Sequence, residues 1–238
     1  MLTFRLAMIL RILEKIKNES VKLVLPPERQ LLYHGSKCGI SGKIAPISRS
    51  KCDFGKGFYM GTIPEQPLTL ICDYPKAKFY IVSIDKTELQ QKYLAPDLNW
   101  AMLVALKRGK MEEIAGSAFY KKIAALAEGY DLISGSIAND RMFFVLDNFF
   151  QGNITDKALI ASLSAIKLGE QLVALTQKAC DKIQIESEII LSSSERTELQ
   201  KTADELRSNG ISLANDICRK HRREGLFFDE ILARAKEA

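Results

Sequence analysis

The amino-acid sequence predicts an α+β fold, because strands and helices are mixed without a regular strand–helix–strand alternation. Residues 78–84 are β-branched and aromatic, which favours a strand. Residues 98–108, which carry the single tryptophan, have the composition of a helix. From residue 36 to about residue 60 the chain is rich in Gly, Ser and Lys, which predicts a long loop. Loops of this length inside compact domains are usually functional.

The other elements follow from hydrophobic spacing and turn residues. We predict further strands at 30–34, 129–138 and 167–175, and further helices at 117–128, in the stretch up to about 150, at 155–163 and from 176. The N-terminal segment predicts an amphipathic helix that ends before Pro26 and Pro27, with one apolar stripe made of Leu2, Leu6, Ile9, Leu13 and Ile16. The tail from Glu195 consists of helix-forming residues, with a predicted break at 208–210.

The order of these elements divides the chain into three predicted parts. Residues 1–27 form an N-terminal helix, residues 28–190 form the main domain, and residues 191–238 form a helical C-terminal tail. The chain has 238 residues, of which 47% are hydrophobic and 26% are charged. This composition is typical of globular domains and excludes disordered and fibrous classes.

The net charge of +5 permits an anionic partner, such as a dinucleotide, a nucleic acid or an acidic protein, without demanding one. Nucleic-acid binding rests only on the basic stretch at 219–223, which a solvated helix face also explains. The N-terminal apolar run is broken by Arg5 and Arg11 and is too short to cross a bilayer. We therefore expect no membrane contact.

The cysteines and histidines indicate no metal site. The five cysteines form no Cys-x-x-Cys pair, and with only His34 and His221 available the chain has no zinc-ligand spacing. An odd, scattered set of cysteines is typical of a reducing compartment, so we expect a cytoplasmic protein.

The first candidate motif surrounds His34, where a predicted strand runs into a Gly-Ser turn. Gly35 would let a ligand approach the backbone closely, leaving N–H and C=O groups free to bond a planar carboxamide. Ser36 adds a hydroxyl. A lone histidine is more often structural than functional, so His34 alone decides little.

The second candidate motif is Gly-Lys-Gly-Phe-Tyr at 55–59, in which two glycines flank a lysine and an aromatic pair follows. A turn leading into a strand with core aromatics explains it equally well. The spacing of a phosphate-binding P-loop and the glycine fingerprint of Rossmann folds are both missing. Any dinucleotide would therefore be held in another manner.

Together, Tyr-His-Gly-Ser at 33–36 and Asp-Phe-Gly-Lys-Gly-Phe-Tyr at 53–59 resemble the NAD-binding half of the histidine–tyrosine class of ADP-ribosyltransferases. More closely, the chain is similar to a bacterial family in that superfamily, domain-of-unknown-function family 3990. The segments at 131–141 and 168–173 are also shared with that family, and the similarity covers roughly residues 30–185. The resemblance implies a split β-sandwich core surrounded by helices.

The resemblance also implies roles for the residues of both motifs. His34 would hydrogen-bond the adenosine-side ribose of NAD, and the Gly35 backbone would grip the nicotinamide carboxamide. Tyr59 would stack on the nicotinamide ring. Ser36 and Gly57 would complete the NAD-binding set.

The third catalytic position departs from the usual pattern of the superfamily, which places a glutamate on a late strand. Glu170 and Gln171 are the candidates, and adjacent strand residues point to opposite faces, so only one of them can face the pocket. The family pattern favours Gln171, a neutral amide that can hold a ribose hydroxyl but supplies no negative charge.

Two other polar groups are candidates for the site. Arg49 and Lys51, in the loop between the motifs, could contact the pyrophosphate, judging from charge and position. Asn139, Asp140 and Arg141 follow a predicted strand. They could cap the next helix, or lie at the pocket mouth, where Asp140 would prepare an acceptor nucleophile and Arg141 would meet phosphate.

The function implied by the resemblance is NAD-dependent ADP-ribosyltransferase activity, with mono-transfer to a macromolecular acceptor, NAD as donor and no metal. Small bacterial enzymes of this type include toxins, so a toxin role with an antitoxin or regulatory partner is part of the same expectation. The alternatives are an NAD glycohydrolase, or a non-catalytic NAD- or partner-binding module of the same fold.

Overall fold

A computed structural model describes residues 2–137, 140–165 and 169–237. Within these ranges the strands are β1 (Arg29–Ser36), β2 (Phe58–Gly61), β3 (Lys78–Asp85), β4 (Gln91–Leu94), β5 (Leu132–Ser136), β6 (Glu170–Ala174) and β7 (Ile183–Ile190). The α-helices are α1 (Leu2–Lys22), α2 (Glu65–Ile71), α3 (Leu98–Lys107), α4 (Ala118–Ala124), α5 (Asp140–Phe150), α6 (Asp156–Ala165), α7 (Gln177–Asp181), α8 (Ser193–His221) and α9 (Phe228–Glu237). The predicted α+β class is confirmed.

The sheet consists of two half-sheets that meet at one point. Its strand order is β4-β5-β6-β2-β1-β3-β7, and only β4 and β5 pair in parallel. Strand β1 pairs with β3 along its whole length, from Arg29 opposite Asp85 to Ser36 opposite Lys78. With β2 it shares the single register position Tyr33 opposite Gly61. We call this position the joint; it links a three-stranded half (β1, β3, β7) to a four-stranded half (β2, β4, β5, β6).

Side chains alternate between the two faces of the sheet, and each face has its own core. We call the face that carries Tyr59, Gln171 and Val173 the front face. It packs against α3, α5, α8 and α9 on the four-stranded half, and against α1 and α2 on the three-stranded half. The back face carries the cluster Leu32, Phe58, Met60, Val82, Leu172 and Ala174, and packs against α7.

Helix α3 lies at the centre of the front core. Its residues from Trp100 to Ala105 are all buried, as expected for a helix that is apolar all round. The Asp97 carboxylate caps its start by accepting from the Trp100 backbone N–H at 2.9 Å. The helix ends at Lys107, so Arg108 directly follows a fixed element.

The tail differs from its prediction in one respect. The predicted break at 208–210 is wrong, because α8 runs without interruption from Ser193 to His221. Packing of α8 against α5 and α6 outweighs the weak helix propensity of Ser-Asn-Gly. The chain turns only at 222–227, where Gly225 has a φ of +84°.

Side chains of the predicted N-terminal helix and of the predicted tail pack against the predicted main domain. From the tail, five side chains join the same cluster as Trp100: Ala214, Phe228, Ile231, Leu232 and Ala235. In α1, Ile12 and Ile16 are buried together with Leu68, Phe79 and Leu199. Ile12 was not in the predicted stripe; the side chains of Leu2 and Leu6 lie outside the described part of the chain. No helix in the described residues is both long and apolar enough to cross a membrane.

Candidate functional site

His34 lies one residue beyond the joint and bridges the two half-sheets with its side chain. Its Nδ1 is 2.7 Å from the backbone oxygen of Tyr59. Since a carbonyl oxygen only accepts, Nδ1 carries the hydrogen. The imidazole stacks on Phe58 at 4.2 Å between ring centroids. The His34 side chain therefore connects β1 and β2 just beyond their backbone pairing at Tyr33 and Gly61.

The protonation state of His34 follows from its surroundings. Burial lowers the pKa of His34 below its usual 6.5, and the hydrogen bond to Tyr59 opposes this only in part. The ring is therefore neutral at pH 7, with its proton on Nδ1. Its Nε2 carries a lone pair that can accept a hydrogen bond from a hydroxyl.

The Tyr59 side chain lies on the front face and holds the preceding loop. Its hydroxyl donates to the backbone oxygen of Gly55 at 2.8 Å and accepts from the Phe54 N–H at 3.0 Å. Burial raises the pKa of the Tyr59 phenol strongly, and the nearby Asp53 carboxylate raises it further. The Tyr59 phenol is therefore neutral at pH 7.

The side chains of Glu170 and Gln171 lie on opposite faces of the sheet. Gln171 is only 4% exposed and shares the front face with Tyr59, since β2 and β6 pair Tyr59 with Val173 and Gly61 with Gln171. Glu170 points to the opposite face, where a hydrogen bond to it raises the pKa of Tyr93. Of the two candidates, the structure brings Gln171 together with Tyr59.

Sequence reasoning missed a buried ion pair that contacts Gln171. Arg108 and Asp53 are joined by a salt bridge, and their side chains are 11% and 10% exposed. The Gln171 Nε2 donates to Asp53 Oδ2 at 3.0 Å and to the Ser136 backbone oxygen at 3.2 Å. We call Arg108, Asp53, Gln171 and Ser136 the Asp53 network. The available signal was the position of Asp53 at the start of the second motif.

Two glycines of the motifs are required by close packing. A Cβ on Gly35 would lie 2.7 Å from both the Ile71 side chain and the Pro67 backbone oxygen, so β1 approaches α2 too closely for any other residue. A Cβ on Gly57 would overlap the Val173 side chain. Glycine at both positions thus has a packing reason, independent of any ligand.

Other predicted site residues lie in the turn after β1, in the loop before β2 and at the start of α5. The Ser36 hydroxyl donates to the Gly39 backbone oxygen at 2.9 Å and so stabilises the turn after β1. Arg49 and Lys51 are exposed in the loop. Asn139 lies outside the described residues; Asp140 and Arg141 begin α5, but their side chains lie outside the described part of the structure.

Comparison with known protein families identifies the family of this chain. A family model described as a protein of unknown function (DUF3990) matches residues 30–185, which are 156 of the 238 residues. The chain belongs to this family. Neither the curated proteins nor the solved structures contain a match. His34, Tyr59 and the Asp53 network all lie within the DUF3990 region, whereas α8 and α9 lie outside it.

Proposed function

We propose that this DUF3990 protein binds NAD at the joint and transfers ADP-ribose from it to a macromolecular acceptor. The observation that carries the proposal is the arrangement around the joint. His34 bridges the two half-sheets through the backbone of Tyr59 and stacks on Phe58 of the back face, while the side chains of Tyr59 and Gln171 share the front face at the same junction. A sheet that divides beside a histidine–tyrosine pair supports an ADP-ribosyltransferase-like split β-sandwich.

Each residue has a role that suits its chemistry. The unprotonated Nε2 of His34 accepts from a hydroxyl of the adenosine-side ribose. The Tyr59 ring stacks on the nicotinamide ring, which contributes on the order of 1 kcal/mol beyond area burial. Gln171 holds the 2′-hydroxyl of the nicotinamide-side ribose. The exposed Arg49 and Lys51 supply positive charge for the pyrophosphate.

The reaction breaks the bond between C1′ of this ribose and the nicotinamide nitrogen. The bonding electron pair leaves with nicotinamide, which becomes neutral, and positive charge develops on C1′ and the ring oxygen. A lone pair of the acceptor then bonds C1′, and the acceptor proton passes to solvent. Gln171 contributes by holding the ribose while this charge develops.

NAD binding is tested by calorimetry with a His34→Asn variant. The asparagine amide can still donate to the Tyr59 carbonyl, but it lacks the acceptor at Nε2. We expect NAD affinity to fall about tenfold, the effect of losing one hydrogen bond. His221→Asn, at the end of α8 and outside the matched region, is the control and leaves affinity unchanged. Equal affinity of wild type and His34→Asn would remove His34 from the site.

Transfer is tested with NAD labelled in the adenosine half and a cell extract. Label appearing in macromolecules, together with released nicotinamide, is the expected result. Label found only in free ADP-ribose would identify a glycohydrolase instead. If wild-type protein neither binds NAD nor releases nicotinamide, the proposal is wrong.

One observation favours a second function, NAD binding without turnover. Gln171 occupies the front-face position, so the side chain nearest the proposed ribose site is a neutral amide, while Glu170 points away. A neutral amide stabilises positive charge on the ribose less than a carboxylate does. Calorimetric binding of NAD with no nicotinamide released over several hours would select this function.

A further inference from the structure

The Gln171 side-chain amide is fixed in one orientation by its partners. Its two neighbours, Asp53 Oδ2 and the Ser136 backbone oxygen, are both acceptors, so the nitrogen and not the oxygen must face them. A primary amide has two N–H groups, and here both are used. The Oε1 oxygen accepts no hydrogen bond from the described residues, and it is the other hydrogen-bonding atom of the Gln171 side chain.

Asp53 is itself held in place. Arg108 donates to its Oδ1, while Gln171 donates to its Oδ2, so the two carboxylate oxygens have different partners and the group cannot turn freely. Arg108 directly follows the buried helix α3, which fixes the starting point of its side chain. The ion pair thus connects the core of the four-stranded half to the amide of Gln171.

We propose that Asp53 is a positioning residue, which orients Gln171 so that its carbonyl oxygen is presented to a substrate hydroxyl on the front face. The identity of that hydroxyl, the 2′-hydroxyl of the nicotinamide-side ribose, rests on the proposed function. The same contact explains why residue 171 is an amide. A glutamate there would place a carboxylate oxygen against Asp53, and two like charges at hydrogen-bond distance repel each other.

Asp53→Asn is the direct test. Because the Arg108 guanidinium can only donate, it keeps the side-chain oxygen of the asparagine as its partner. The asparagine nitrogen then faces the Gln171 nitrogen, and both are hydrogen-bond donors. The Gln171 amide must then turn, and its oxygen is withdrawn from the ligand. We expect kcat for nicotinamide release to fall roughly ten- to a hundredfold, with a smaller change in NAD affinity. Asp147→Asn is the matched control, because Asp147 accepts from Gln151 Nε2 at 2.6 Å on the exposed side of α5; it leaves kcat unchanged.

Combining variants shows whether Asp53 acts through Gln171. Gln171→Met keeps the length of the side chain but removes the amide. If Asp53 only positions that amide, adding Asp53→Asn to Gln171→Met lowers kcat no further. Multiplicative losses of kcat in the double variant, or wild-type kcat in Asp53→Asn, would overturn the proposal.

Nuclear magnetic resonance gives a readout that does not need activity. The side-chain amide signals of Gln171 are identified by their loss in Gln171→Met. We expect both protons to be protected from solvent exchange in wild-type protein and to lose protection in Asp53→Asn. Rapid exchange in wild type overturns the positioning role, even if Asp53→Asn fails to fold. Protected signals in a protein that neither binds nor cleaves NAD would show that the proposed function alone is wrong.

Discussion

At the scale of single residues, His34 meets two different requirements with its two ring nitrogens. Nδ1 is committed to the Tyr59 carbonyl, and Nε2 is left as an acceptor. The resemblance of their two motifs to ADP-ribosyltransferases is what placed His34 and Tyr59 in one candidate site. The sequence could not identify Asp53 and Arg108, because these residues are far apart in the chain and meet only through the position of α3. The resemblance favoured Gln171 over Glu170, and the pairing of β2 with β6 puts Gln171 on the same face as Tyr59.

The lowered pKa of His34 predicts how stability depends on pH. Unfolded protein takes up a proton on this histidine near pH 6.5, whereas folded protein does so only at lower pH. The contribution of the neutral histidine is therefore complete above pH 6.5 and is lost as the pH falls towards the folded-state pKa. We expect the free energy of unfolding, measured in urea, to drop more between pH 7.5 and 5.5 in wild type than in His34→Asn. Equal drops would contradict the burial argument.

At the scale of elements, the sequence predicted those with a strong local signal and missed those without one. Strands β1 and β3 and helix α3 lie close to their predicted bounds. Strand β4 and helix α2 were missed, because β4 has only four residues and α2 contains a proline, Pro67. Strand β7 was missed as well. It is an edge strand with mixed polarity, and pairing with β3 is what makes it regular.

The start of α3 provides a prediction at this scale. Asp97→Ala removes the side chain that caps the Trp100 N–H, and loss of a cap destabilises a protein by about 1 kcal/mol. Asp97→Asn retains an acceptor at the same place and should be close to wild type. Denaturant unfolding of the three proteins measures the difference. If alanine and asparagine are equally destabilising, charge rather than capping matters at this position.

At the scale of the whole molecule, the core includes side chains from outside the region that the family model matches. The match ends at residue 185, yet α8 and α9 supply side chains to the cluster around Trp100. Phe228 contacts Phe149 and Phe150 at ring-centroid distances of 5.3 and 5.5 Å. The predicted separation of a tail at residue 191 is therefore open to a direct test.

A fragment of residues 28–190 lacks α1, α8 and α9 and would leave the apolar surface beneath them in water. We expect this fragment to aggregate or to lack a cooperative thermal transition, whereas the full chain unfolds cooperatively. Circular dichroism during heating compares the two proteins. A fragment that melts at the temperature of the full chain would establish the predicted boundaries as true domain limits.

The joint has a last consequence, for the order in which the chain acquires its structure. The chain passes from one half-sheet to the other between β1 and β2, between β2 and β3, between β3 and β4, and between β6 and β7. Neither half is a continuous segment, so neither can form before distant parts of the chain have met. Such non-local pairing makes folding slow compared with helical proteins of similar size. The NAD site proposed between the halves would then be completed only when β2 has met both β1 and β6.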